Sequence, residues 1–95
     1  MSIQNAVGRL GTHQSVAFSG TAGTIANPFG SQTRRIRVVV TSAANILIGN
    51  SPTATAANGS YLPANLPEYF DVTPGQSVSA IQVSASGTLD CTELS

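Results

Sequence analysis

Residues 33–40 read TRRIRVVV, and this stretch decides the fold class. In an extended chain successive side chains alternate between two faces, so Ile36, Val38 and Val40 share one side while Arg35, Arg37 and Val39 share the other. The run predicts a β-strand with one apolar and one basic face, lying at a surface. Downstream, after the turn residues TSAAN, the triplet Ile46, Leu47, Ile48 ends at Gly49 and predicts a strand buried on both sides, at the centre of the core. Residues 50–60, NSPTATAANGS, are small and polar and read as a loop whose Asn58-Gly59 pair supplies a tight turn. Tyr61 and Leu62 re-enter the fold, and Pro63 and Pro67 bracket an extended segment that lacks a full ladder of donors.

The last third continues the pattern. Residues 68–72 (EYFDV), 77–85 (SVSAIQVSA) and 88–94 (TLDCTEL) predict a three-stranded meander. Between the first two, TPGQ at 73–76 carries the chemistry of a type II turn: Pro74 fixes the first central position and Gly75 accepts the positive φ of the second. Ser86-Gly87 supplies the next reversal, and the adjacent apolar pair Ala80-Ile81 predicts a bulge that restores the inward phase. Upstream, residues 15–19 and 24–26 are weaker strand candidates, and residues 1–14 are polar, Gly-containing and without periodicity. No helical stripe competes. The expectation is an all-β chain: a compact antiparallel sandwich or jelly-roll-like barrel of six to eight strands, with residues 1–14 as an extended N-terminal arm and residues 15–95 as a single β-domain.

Composition narrows the function classes. The 95 residues contain no lysine, and charged residues are 8% of the chain, against roughly 25% in an average soluble domain. The charges also divide along the chain, with Arg9, Arg34, Arg35 and Arg37 preceding Glu68, Asp71, Asp90 and Glu93. A formal net charge of zero removes the repulsion that keeps small proteins apart and favours self-association or docking. It also argues against nucleic acid as the principal partner, because phosphates are gripped by an excess of basic side chains. The single cysteine, Cys91, closes no internal disulfide, which suits synthesis in a reducing cytoplasm. Neither an export signal nor an apolar run of membrane-spanning length is expected.

Little in the sequence supports catalysis. His13 is the only histidine, it lies in the expected arm, and it is far in sequence from every carboxylate; Ser15 nearby makes no signature. Glu68 and Asp71 fall on opposite faces of a strand and read as a polar strand edge. Cys91 has no neighbouring cation to lower its pKa and reads as a small core residue. One His, one Cys and four scattered acids have no metal-ligand spacing, so neither a metal nor a cofactor is expected. Asn58-Gly59-Ser60 fits a glycosylation pattern but reads as a turn. The basic cluster Arg34, Arg35, Arg37 has two readings: a solvated strand face, or guanidinium groups that pair with carboxylates across an interface.

The C-terminal pattern of an aromatic strand, VTPGQSVSAI, a small-residue turn and TLDCTELS resembles the ends of small virion proteins encoded beside head genes in tailed bacteriophages. The stretch RRIRVVVTSAANILIGNSPTATAANGSYLP is also similar to that group, and the likeness covers about residues 31–95. The resemblance implies a non-enzymatic β-domain that decorates or cements a capsid, bound to the major capsid protein or another virion protein. It would be made in the bacterial host cytoplasm and seated on the capsid surface, commonly as a homo-oligomer, with a trimer favoured. On that reading Arg34, Arg35 and Arg37 would meet acidic groups on the capsid, or Glu68, Asp71, Asp90 and Glu93 of a sister subunit. The alternative is a receptor- or glycan-binding module on a tail fibre or head surface, for which Tyr61, Tyr69, Phe18, Phe29 and Phe70 are the only aromatic side chains.

Overall fold

Alternation of buried and half-buried positions along TRRIRVVV is realised in the strand Arg35–Val40: Ile36, Val38 and Val40 are fully buried, whereas Arg35, Arg37 and Val39 are half-buried. The computed structural model describes residues 10–94, which form β1 (Leu10–Phe18), β2 (Gly23–Thr24), β3 (Arg35–Val40), β4 (Ala44–Gly49), β5 (Ser60–Leu62), β6 (Glu68–Asp71), β7 (Ser77–Gln82) and β8 (Gly87–Leu94). All pairings are antiparallel, and two four-stranded sheets result, a front sheet β1-β8-β3-β6 and a back sheet β2-β7-β4-β5.

The pairing is nested. β1 pairs with β8, β2 with β7, β3 with β6 and β4 with β5, as in one long hairpin, and the further pairs β3–β8 and β4–β7 close the ribbon into two layers. An eight-stranded ribbon rolled in this way is a jelly roll. The all-β expectation holds, and the strand order resolves the choice between a simple sandwich and a jelly roll. Between the layers, Phe18, Ile36, Val38, Val40, Leu89 and Cys91 from the front sheet meet Ala44, Ile46, Leu62, Val78 and Ala80 from the back, with Ile25, Phe29 and Val72 closing the ends.

Several local expectations change. The sheet begins at Leu10 rather than after residue 14, because β8 offers a long partner strand to which β1 is laddered from His13 through Phe18. Residues 10–14 therefore do not belong to an arm, and the rest of the expected arm lies outside the described residues. The stretch reads as polar because one of its inward positions is polar and satisfied: the Gln14 side chain donates to the Asn27 carbonyl and accepts from the Asn27 N–H, both at 2.9 Å. The expected meander does not form. β6 and β8 flank β3 in the front sheet while β7 lies in the back sheet. The TPGQ turn has the expected form, with Gly75 at φ 89° and the Gln76 N–H donating to the Thr73 carbonyl at 3.1 Å. It carries the chain from one layer to the other instead of closing a hairpin, and it is tied there by the Gly75 N–H to the Phe29 carbonyl at 3.0 Å.

The bulge at Ala80-Ile81 is also absent: β7 keeps an unbroken register with β4 from Ser77 to Gln82. Its first four residues are buried on both faces. Val78 and Ala80 point into the core, and the outward Ser79 is covered by the loop after β4, where its hydroxyl accepts the Ala54 N–H at 3.0 Å. A strand covered on both sides has no reason to alternate, so the apolar pair needs no phase correction. In that loop the Asn58 side chain accepts the Thr55 N–H at 2.7 Å and the Thr55 hydroxyl accepts the Asn58 N–H at 3.1 Å. Gly59 is required for space: a Cβ there would stand 2.8 Å from that of Asn45.

Candidate functional site

The strand order sets side chains from four distant segments in one line. On the outer face of the front sheet, His13, Thr92, Arg37 and Tyr69 lie opposite one another on β1, β8, β3 and β6. Ser15, Asp90 and Val39 form the neighbouring row, and Arg35 stands opposite Asp71 on the other side. With roughly 4.8 Å between strands and 3.3 Å per residue, the face measures about 14 by 20 Å.

Charges on this face are largely matched within the chain. Arg35 Nε lies 3.0 Å from Asp71 Oδ1, and His13 Nε2 lies 3.4 Å from Asp90 Oδ1. Both pairs are well exposed, so solvent screening leaves each with little stabilising effect. The His13 contact is ionic only when the imidazole is protonated. Among the described residues Arg37 has no carboxylate within 4 Å, and it stands between Thr92 and the exposed ring of Tyr69.

Of the seven residues expected at an interface, Arg35, Arg37, Asp71 and Asp90 therefore share this face. Arg34 and Glu68 do not. Both are exposed, but Arg34 precedes β3 and Glu68 stands opposite the inward-facing Val38 on edge strand β6. Glu93 is not on this face either: it is 8% exposed, on the inward phase of β8 with Leu89 and Cys91. Alternation along TLDCTEL holds the reason, because apolar Leu89 and Cys91 already fix the parity that turns Glu93 inward.

Glu93 is held by the turn before β3. Its Oε1 accepts the Gly30 N–H at 3.2 Å and the hydroxyl of Thr33, which is itself buried. The carboxylate lines a cavity of about 320 Å³ whose walls include Gly11, Thr12, Ser31 and Gln32. The roles of Gly30 and Thr33 carry no local signal, since their partner lies sixty residues away. A second cavity of about 410 Å³, between Thr24, Pro28, Pro52 and Gly75, has no charged side chain in its lining among the described residues.

His13, far in sequence from every acid, is brought to Asp90 by the β1–β8 pairing, and Ser15 stands directly opposite Asp90. His13 and Ser15 are exposed and Asp90 is half-exposed, so water competes for every contact that nucleophile activation would need. Cys91 is buried in the core, and its thiol is pushed up to about 12, first by burial and then by the nearby Glu93 charge. Among the described residues no three His, Cys, Asp or Glu side chains gather to hold a metal, and no helix is long and apolar enough to cross a membrane. No family model, no curated protein and no solved structure matches the chain, so its functional reading rests on its own fold and surface chemistry.

Proposed function

We propose that this chain is a non-enzymatic virion protein of a tailed bacteriophage, seated on the capsid surface, where it bridges neighbouring capsid subunits as a decoration or cement protein. The observation that carries the reading is the outer face of the front sheet. It is a rigid strand surface in which Arg35 and Asp90 already have internal partners, leaving Arg37, Thr92, Val39 and Tyr69 to meet another protein. Pairing within the chain offsets part of the cost of desolvating these charges, and Arg37 is left to a carboxylate of the partner. Fold alone does not carry the proposal, since jelly rolls serve both capsids and lectins.

Size bears on how the protein would be held. A footprint of about 14 by 20 Å is well below the roughly 800 Å² per partner of a stable interface. Docking through this face therefore calls for several linked copies, whose combined contacts raise the effective affinity. This supports a homo-oligomer, for which we propose a trimer, and light scattering after size exclusion measures it. Arg37→Glu on purified heads tests the face itself: occupancy should fall at least tenfold, on the order of one lost charge-assisted contact. Unchanged occupancy refutes the assignment.

A second reading is supported by one feature. Tyr61 is 64% exposed on β5 opposite Asn45, an aromatic surface beside an amide of the kind that sugars stack on. A reproducible glycan-array ligand that is lost in Tyr61→Ala would favour a receptor- or glycan-binding module instead.

A further inference from the structure

The Glu93 cavity has a chemical asymmetry that the fold does not require. A carboxylate taken out of water is costly unless its charge is answered, and Glu93 is 8% exposed. Its Oε1 is satisfied twice, by Gly30 and Thr33. Among the described residues Oε2 accepts no hydrogen bond, and Glu93 borders open space. That space is the cavity, which Glu93 lines. No basic side chain of the described residues lies within 4 Å of this carboxylate. Among the described residues the remaining polar lining includes Thr12, Ser31 and Gln32, which are neutral and offer hydroxyl and amide oxygens. No aromatic ring contributes, so a sugar would find nothing to stack on.

We propose that this cavity is a socket for a basic side chain, an ammonium or guanidinium group presented by a partner protein. Oε2 takes the charge-assisted hydrogen bond, and Thr12, Ser31 or Gln32 accepts a remaining N–H. The identity of the partner as a capsid subunit rests on the function proposed above; the socket itself does not. It would hold an incoming Lys or Arg at the end of the roll where the turn before β3 meets the end of β8, away from the strand face that carries Arg37.

The probes are n-butylammonium and methylguanidinium, titrated into the full chain at low salt while backbone amide resonances are followed by NMR, with methyl glucoside as the neutral comparison. Saturable shifts centred on Gly30, Ser31 and Thr33, with a dissociation constant in the millimolar range, are expected. Glu93→Gln keeps an oxygen for Gly30 and Thr33 but removes the charge, and should weaken the response at least about tenfold. If that variant does not fold, Ser31→Trp, at an exposed position on the rim, should block the response instead. Shifts that do not saturate, that persist equally in the variants, or that arise with methyl glucoside alone overturn the proposal. Arg9 lies outside the described residues, and if the probes act only after Arg9→Ala, the occupant is the chain's own and the partner side chain is refuted. The titration uses no capsid, so its failure leaves the Arg37 docking test standing, and the converse holds as well.

Discussion

Replacing Ser79 by alanine tests whether β7 is covered on both faces. Ser79 is fully buried, and its hydroxyl is the acceptor for the N–H of Ala54, itself 1% exposed. Removing one oxygen leaves that N–H buried without a partner, which costs about 1–3 kcal/mol. In a domain of this size each kcal/mol lowers Tm by about 4–8 °C, so a fall of at least several degrees is expected. Val78→Ala, one residue earlier and facing the core, loses two methyl groups, for about 1.6 kcal/mol plus a cavity contribution. The two neighbours should therefore be comparably sensitive in urea denaturation, whereas a strand with one solvated face would show a strong and a silent position. Ser84→Ala, at an exposed site beyond the strand, serves as the silent control. A Ser79→Ala variant within 0.5 kcal/mol of the parent would mean that the loop does not cover the back sheet, and the account given for the missing bulge would fall with it.

Burial of Cys91 makes stability fall at alkaline pH. The folded thiol is raised to about 12 from its ordinary value of 9.0, so its contribution is fully present below pH 9 and is lost as pH rises from 9 toward 12, by roughly 1.4 kcal/mol per unit. Cys91→Ala should flatten that limb of the stability–pH curve, and an unchanged slope refutes the assignment. Gly59→Ala should destabilise the loop after β4, because the added Cβ meets Asn45 at 2.8 Å; hydrogen exchange at Ala54 should rise more than at core positions of β3, and equal exchange in both proteins counts against the close approach.

Residues whose chemistry is local were legible before the structure. TRRIRVVV announces both faces of β3 because side-chain direction in a strand depends only on parity. Pro74-Gly75 announces its turn because the required φ values are properties of those two residues. The core role of Cys91 follows from the same alternation. Glu93 was within reach of that reasoning, since it shares parity with Leu89 and Cys91, yet its charge suggests a surface and only the turn at Gly30 and Thr33 makes burial tolerable.

What the sequence determined by itself was the class of structure: strands, their faces, their turns and a charge-poor exterior. Tertiary structure alone decided which strands are neighbours. A turn such as TPGQ reverses the chain equally well within a sheet or between two sheets, and the choice depends on hydrogen-bond ladders and buried area summed over the whole ribbon. That sum put β7 behind β6 and β8, extended β1 back to Leu10, set His13 beside Asp90 and aligned Arg37 with Tyr69. Each is a pairing between segments distant in sequence, and no local propensity encodes such a pairing.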